Sequence, residues 1–246
     1  MEPRITESPT VILLAGGFGT RIRELYPDVP KPMIPVAGQP FLEWTIRYWV
    51  QQGFHRFIVS LGHLAAIGER FCAARNGQGL DIRTVVESAP LGTGGAIHYA
   101  AQTCGVSDVF VAANADSLVV ADMRPAMQLM QDPQVDGVLL GVPVPDTTRY
   151  GSLAVEGARL TGFREKRPGT GLINGGVYVL RRKMLDLFPT QRPMSVETDA
   201  FPALLSSGAD LRVVPADAPF LDIGTPESVR QAEHFVLSHF AQEGAN

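Results

Sequence analysis

The sequence predicts an α/β fold, a mostly parallel mixed sheet flanked by helices, and three observations predict it. Short apolar runs at residues 11–15, 57–61 and 109–113, broken only by Ser60, have the length and composition of strands buried on both faces. Between them lie segments with apolar residues at helical spacing, the alternation that builds βαβ units. Beyond Asp122 the strands become shorter and closer together, which predicts a smaller, more antiparallel lobe folded over the first. The expected organisation is a single domain, with one lobe of about residues 10–121 and a second of 122–246.

The first run, Val11-Ile12-Leu13-Leu14-Ala15, stops at Gly16-Gly17-Phe18-Gly19-Thr20-Arg21. Three glycines in four residues let the backbone approach a ligand and turn its N–H groups toward it, the arrangement that cradles phosphates. Arg21 adds a forked cation, and Lys31 a point-like one on a backbone stiffened by Pro30, Pro32 and Pro35. Loop, Arg21 and Lys31 together read as a triphosphate grip. A dinucleotide fingerprint is excluded, because Ile22 and Ile97 stand where the spacing from Gly17-x-Gly19 and Gly92-x-Gly94 demands glycine. No Gly-Lys-Ser/Thr occurs, so there is no Walker loop.

The remaining elements follow in order. Residues 39–52 carry Leu42, Ile46, Trp49 and Val50 at helical spacing and end at Gly53, with Trp44 and Trp49 expected in the core. A helix over 64–74, a strand over 80–87, a helix over 94–103 and the strand ending at Asn114-Ala115-Asp116 continue the alternation. The second lobe is read as a helix over 122–131, a strand over 135–144, a turn at Arg149-Tyr150-Gly151 and strands over 153–155, 160–165 and 173–180. Late strands at 212–214 and 220–221 lead to a closing helix over 226–240, with Thr225 as its N-cap and Pro226 in its first turn. Ligands of such sheets lie beyond the carboxyl ends of the strands, so the glycine loop, Glu87 and Asp116 are expected to share one crevice.

Composition narrows the function. A chain of 246 residues, 45% hydrophobic and 19% charged, supports a sizeable core, and no linker, charge block or repeat divides it. The start, Met1-Glu2-Pro3-Arg4-Ile5-Thr6-Glu7, lacks the apolar core of a signal peptide and no run approaches a membrane span, so a cytoplasmic protein with no membrane partner is expected. A net charge of −4 argues against a nucleic-acid surface. An anionic substrate must then be met by local cations, for which Arg21, Lys31, Arg149, Arg164 and Lys166 are the candidates. Cys72 and Cys104 fall on separate helices and read as buried free thiols. The five histidines are scattered and suggest no site.

Several stretches carry possible chemistry, each with a plainer rival. Leu91-Gly92-Thr93-Gly94-Gly95-Ala96 opens a helix with more glycine than a helix start needs, so its backbone can approach a base edge or sugar; Glu87, five residues before Gly92, reads by itself as a solvated carboxylate at a strand end. Asp116 and Asp222 each end an apolar strand, where a carboxylate is costly unless paired or metal-bound, and two hard oxygen ligands suit Mg²⁺. Asp222 as a cap of the last helix is the rival. Gly175 and Gly176 inside a strand mark close approach of something, a sugar ring or a β-bulge. Glu197-Thr198-Asp199 is a further sugar-contacting segment or an ordinary acidic helix start.

Leu14-Ala15-Gly16-Gly17-Phe18-Gly19-Thr20-Arg21 followed by Lys31-Pro32-Met33 closely resembles the signature of the sugar-phosphate nucleotidyltransferases, the nucleotide-sugar pyrophosphorylases. The resemblance runs from about Thr10 to the last helix. It implies a Rossmann-like nucleotide-diphospho-sugar transferase fold and an enzyme that joins a nucleoside triphosphate to a sugar 1-phosphate. It places Leu14, Ala15, Gly16, Gly17, Gly19, Thr20 and Arg21, with Glu87, Gly92, Thr93 and Asn114, around the nucleotide. Tyr150, Gly151, Glu165, Lys166, Asn174, Gly175 and Glu197 fall around the sugar phosphate, and Asp116 and Asp222 on Mg²⁺. Arg21, Lys31, Lys166 and Asp116 take the catalytic roles. Ala115 departs from the family pattern, which commonly has glycine before the aspartate.

The stretches at 171–176 and 220–227 are similar to a subgroup that activates bacterial sugars for capsule and lipopolysaccharide, heptose 1-phosphate among them, with GTP. GTP is also what an ionised Glu87 would favour, since it accepts from the adjacent N1–H and N2–H donors of guanine. A mannose 1-phosphate guanylyltransferase, a uridylyl- or thymidylyltransferase, and a non-catalytic nucleotide-sugar-binding subunit are the alternatives. A homo-oligomer is compatible with all of them.

Overall fold

A computed structural model describes residues 8–17, 19, 22, 24–148, 151–164 and 168–240. Strand β1 (Thr10–Ala15) leads through the glycine loop and a 3-10 turn at Lys31–Met33 to a hairpin of β2 (Pro35–Val36) and β3 (Gln39–Pro40), then helix α1 (Phe41–Gln51). β4 (Arg56–Leu61), α2 (Ala65–Arg75), β5 (Asp81–Val86), α3 (Gly92–Cys104) and β6 (Val109–Asn114) continue the alternation. Next come β7 (Ser117–Val119), α4 (Arg124–Leu129), β8 (Gly137–Val144), β9 (Ser152–Glu156), β10 (Arg159–Arg164) and β11 (Gly171–Arg181). A π-helical turn at Val196–Ala200 runs into α5 (Phe201–Ser206), followed by β12 (Leu211–Pro215), β13 (Phe220–Asp222) and α6 (Pro226–Phe240).

Nine strands form one sheet in the order β5-β4-β1-β6-β11-β8-β12-β10-β9, so both halves of the chain share a single platform. The first four strands of that order are parallel, and β11 then runs antiparallel to β6 and to β8. This direction change matters for function. The carboxyl ends of β1, β4, β5 and β6 lie along one edge, and antiparallel β11 starts at that same edge, bringing Asn174 and Gly175 to it. Beyond the edge, β7 pairs with β13, setting Asp222 opposite Ser117.

Alternation along β1 explains the layers. Val11, Leu13 and Ala15 face a core shared with Trp44, Trp49, Ala126, Ala232 and Val236 of α1, α4 and α6, whereas Ile12 faces the other core with Ile97, Ala100, Phe201 and Leu204 of α3 and α5. Both tryptophans are buried as expected, and the Trp44 indole donates to Val36 O at 2.9 Å. The Thr225 cap is also present, its hydroxyl accepting from Ser228 N at 3.2 Å at the start of α6.

Boundaries shift where local pairing competes with helical pattern. Helix α1 begins at Phe41 rather than Gln39 because Gln39 and Pro40 pair with Val36 and Pro35. The helix expected over 122–131 is confined to Arg124–Leu129, with the Asp122 carboxylate accepting from Arg124 N. Cys72 is buried, but Cys104, at the last position of α3, is only half-buried.

Candidate functional site

At the carboxyl edge, the Lys31 ammonium donates to Asp116 Oδ2 at 2.8 Å and to Asp222 Oδ1 at 3.2 Å. The two strand-end carboxylates singled out in the sequence are thus brought together, with Lys31 between them. Their spacing is set by backbone: β7 and β13 pair, and Ile223 N donates to Asp116 O at 3.1 Å. Asp222 does not cap α6, since its partner is Lys31 and the cap is Thr225. The Lys31 side chain is 11% exposed; burial pushes its pKa down, but the charges of Asp116 and Asp222 more than offset this, so the ammonium persists above its ordinary range.

Beside this cluster is a cavity of about 340 Å³. Lys31, Asp116 and Asp222 line one part of it, and Thr93, Asn114, Asn174, Gly175 and Glu197 line the rest. Eight residues expected at the site therefore converge on one space. Tyr178, Ser195 and Ser117 also line it and were not anticipated. The signal for Tyr178 was its position four residues after Asn174 in a glycine-interrupted strand.

Asn174 organises one wall of the cavity. Its amide nitrogen donates to Tyr178 Oη and to Glu197 Oε1, both at 2.7 Å, and its Oδ1 accepts from Gly176 N at 3.0 Å. At Gly175-Gly176 the β11–β8 register shifts between Asn174 and Tyr178, the mark of a β-bulge, and Gly175 also lines the cavity. Gly176 takes φ +70°, and a Cβ there would meet Asn114 Nδ2 at 2.4 Å. Glu197 sits in the π-helical turn, whose first residues are capped by Ser195 Oγ accepting from Glu197 N and Thr198 N.

Two stretches expected on the nucleotide side have partners within the chain. Glu87 does not present an unengaged carboxylate: Oε1 accepts from the buried Ser60 hydroxyl at 3.1 Å and Oε2 from Leu91 N at 3.0 Å. A Cβ on Gly16 would meet Oε1 at 2.6 Å, so Glu87 braces the glycine loop against the ends of β4 and β5. Likewise, what approaches the glycines of 92–95 is the chain's own backbone: Gly94 N and Gly95 N donate to Met194 O at 2.9 and 3.2 Å. A Cβ on Gly92 would lie 2.4 Å from that oxygen. Gly92 is spent on packing, while Thr93 reaches the cavity and accepts from Val196 N at 3.0 Å.

The first loop keeps its expected place after β1. Leu14 O accepts from Ala115 N at 3.1 Å, Gly17 faces open space, and Gly19, at φ +56°, packs on the Lys31 side chain. The Ala115 methyl is fully buried in the core and does not line the cavity, so the departure from glycine leaves the site's width unchanged. Gly151 lies just before β9, its nearest neighbour the Arg164 carbonyl, and Arg164 ends β10 exposed, away from the cavity lining. Thr20, Arg21, Arg149, Tyr150, Glu165 and Lys166 lie outside the described residues. No histidine lines the cavity.

A mixed sheet with a glycine loop at its carboxyl edge and a lysine-bridged carboxylate pair beyond it defines a nucleotide-diphospho-sugar transferase fold. The chain belongs to the nucleotidyl transferase family, whose sequence profile matches residues 10–239. It is 36% identical over 227 residues to a mannose-1-phosphate guanylyltransferase of Mycobacterium tuberculosis, covering 90% of this chain and 63% of the relative. It is 32% identical over 230 residues to a D-glycero-alpha-D-manno-heptose 1-phosphate guanylyltransferase of Aneurinibacillus thermoaerophilus, covering 93% and 98%. The crystal structure of HddC from Yersinia pseudotuberculosis complexed with GMP-PN is similar at a TM-score of 0.80 and 33% identity, covering 92% of this chain and 99% of that one. The chain thus spans less than two thirds of the mycobacterial relative and nearly all of the other two.

Proposed function

We infer that this protein is a sugar 1-phosphate guanylyltransferase that condenses GTP with heptose 1-phosphate, giving a GDP-sugar and pyrophosphate for capsule or lipopolysaccharide synthesis in the bacterial cytoplasm. The observation that carries this is the meeting of Lys31, Asp116 and Asp222 beside a cavity walled by Asn174 and Glu197. Cation and carboxylates suit a polyphosphate, and the amide–carboxylate wall suits sugar hydroxyls. The base and the sugar come from likeness to the heptose 1-phosphate enzyme over almost its whole length.

The chemistry asks little of side-chain acids and bases. A sugar phosphate is ionised at neutral pH, so one of its oxygens attacks the α-phosphorus as the bond to pyrophosphate breaks, and no proton must be removed. Lys31 would neutralise the departing pyrophosphate; Arg21 and Lys166 take the phosphate-binding roles that the family resemblance assigns. Asp116 and Asp222 fit Mg²⁺, which takes one or two carboxylates and fills its remaining positions with phosphate and water. Bound there, Mg²⁺ would supply charge neutralisation on the phosphates.

A second reading, mannose 1-phosphate as the acceptor, is favoured by the 36% identity to the mycobacterial enzyme. Release of pyrophosphate from four nucleoside triphosphates against a panel of sugar 1-phosphates separates the two. GTP with heptose 1-phosphate should give the highest kcat/KM, and EDTA should abolish turnover. Asp222→Asn should lose roughly 10²- to 10³-fold in kcat, as for other groups acting on transition-state charge. No release with any pair would leave a nucleotide-sugar-binding subunit as the better reading.

A further inference from the structure

Lys31 and a divalent cation would compete for the charge of the same two carboxylates. The ammonium contacts one oxygen of each carboxylate, with its side chain 11% exposed. The acids cannot easily move apart to admit both cations. Asp116 immediately precedes β7 and Asp222 ends its partner β13, opposite Ser117; Ile223 N is bonded to Asp116 O, and Gly224 lies so close that a Cβ there would meet Asp222 Oδ1 at 2.9 Å. Lys31 is the adjustable partner: its backbone is held in a 3-10 turn between Pro30 and Pro32, but four methylenes carry the ammonium.

Charge decides what each exchange costs. Two carboxylates and one ammonium leave a single net negative charge, too little to hold a divalent ion beside a second cation at contact distance. Removing the ammonium restores the full charge of the pair. A triphosphate provides the place for it to go, since its oxygens accept all three ammonium protons and also offer ligands to the metal.

We propose that Lys31 is an internal counter-ion that keeps divalent metal off Asp116 and Asp222 until a polyphosphate draws the ammonium away, so that metal and nucleotide enter together. This rests on the reading of the two aspartates as metal ligands. The device makes Lys31 serve two partners in succession, the carboxylates and then the phosphates.

Mn²⁺ serves as the probe, its free concentration followed by electron paramagnetic resonance without nucleotide and with a non-hydrolysable GTP analogue. The wild-type protein should bind Mn²⁺ alone weakly, and Lys31→Met, which keeps the length and removes the charge, should bind it at least about tenfold more tightly. Lys31→Arg, with the charge kept, should stay as weak as wild type. Should Lys31→Met fold poorly, Mn²⁺ ought to raise its Tm far more than that of wild type. Equal Mn²⁺ affinity in wild type and Lys31→Met, abolished in both by Asp222→Asn, would overturn the counter-ion role and leave the metal site standing. Mn²⁺ binding that is indifferent to Asp222→Asn in every form, with nucleotide or without, would overturn the metal reading and this proposal with it.

Discussion

Asn174 donates its side-chain amide to Oε1 of Glu197 across 2.7 Å, joining the bulge of β11 to the π-helical turn that follows it by more than 20 residues. Because the other amide proton goes to Tyr178, Glu197 is the acceptor left to meet a hydroxyl in the cavity. Asn174→Ala should release Glu197 and raise KM for the sugar 1-phosphate about tenfold, the loss expected for a hydrogen bond to a charged group, with KM for nucleotide changed less than about twofold. Steady-state kinetics with each substrate varied in turn checks this; equal rises in both constants would detach the wall from sugar recognition.

Gly176 shows why the same strand tolerates no side chain at its bulge. Its φ of +70° is strained for any L residue, and a Cβ would press on Asn114, a cavity residue at the end of β6. Gly176→Ala should therefore cost roughly 1–3 kcal/mol in denaturant unfolding. Activity should fall as well, because Asn114 must move. An unchanged denaturation midpoint would mean that the bulge relaxes freely.

Glu87 offers a test between bracing and base reading. A glutamine can keep both of its contacts, its carbonyl accepting from Leu91 N and its amide donating to the Ser60 hydroxyl, which reverses to accept. Glu87→Gln should then leave stability and the preference among nucleotides nearly unchanged. Glu87→Ala strips a partner from a buried hydroxyl and a backbone N–H and should cost about 1–3 kcal/mol. Nucleotide competition assays and melting curves on both variants decide; a glutamine variant that loses its preference for GTP over UTP returns Glu87 to the base.

Asp210 sets an acid limit on stability. Hydrogen bonds from Arg212, with its charge and that of Arg159, hold the Asp210 carboxyl below the usual carboxylate range despite partial burial. A depressed folded-state pKa contributes stability that is full above the unfolded value and is lost as pH falls through the folded one, so the loss belongs below about pH 4. Asp210→Asn should start with a lower Tm at neutral pH and lose less of it on acidification than wild type. Parallel Tm curves for the two proteins across that range would remove Asp210 from the acid limb.

How much of this was legible in the chain differs by residue. Strand β1 was readable because a double-sided buried strand must be apolar without interruption, and α6 because proline and a capping hydroxyl mark its start in the sequence itself. Asp116 and Asp222 were readable as strand-end carboxylates. The sequence by itself determined the α/β alternation, the glycine loop and these acids, all properties of contiguous residues whose physics is local. Only the tertiary structure decided that Lys31 lies between the two acids, that Glu87 turns inward to Ser60 and Leu91, and that Gly92 packs on Met194, whose carbonyl accepts from Gly94 N and Gly95 N. A glycine declares that something comes close, and a carboxylate that something must pair with it. Which group arrives is fixed by packing between segments up to 191 residues apart, and no local pattern encodes that distance.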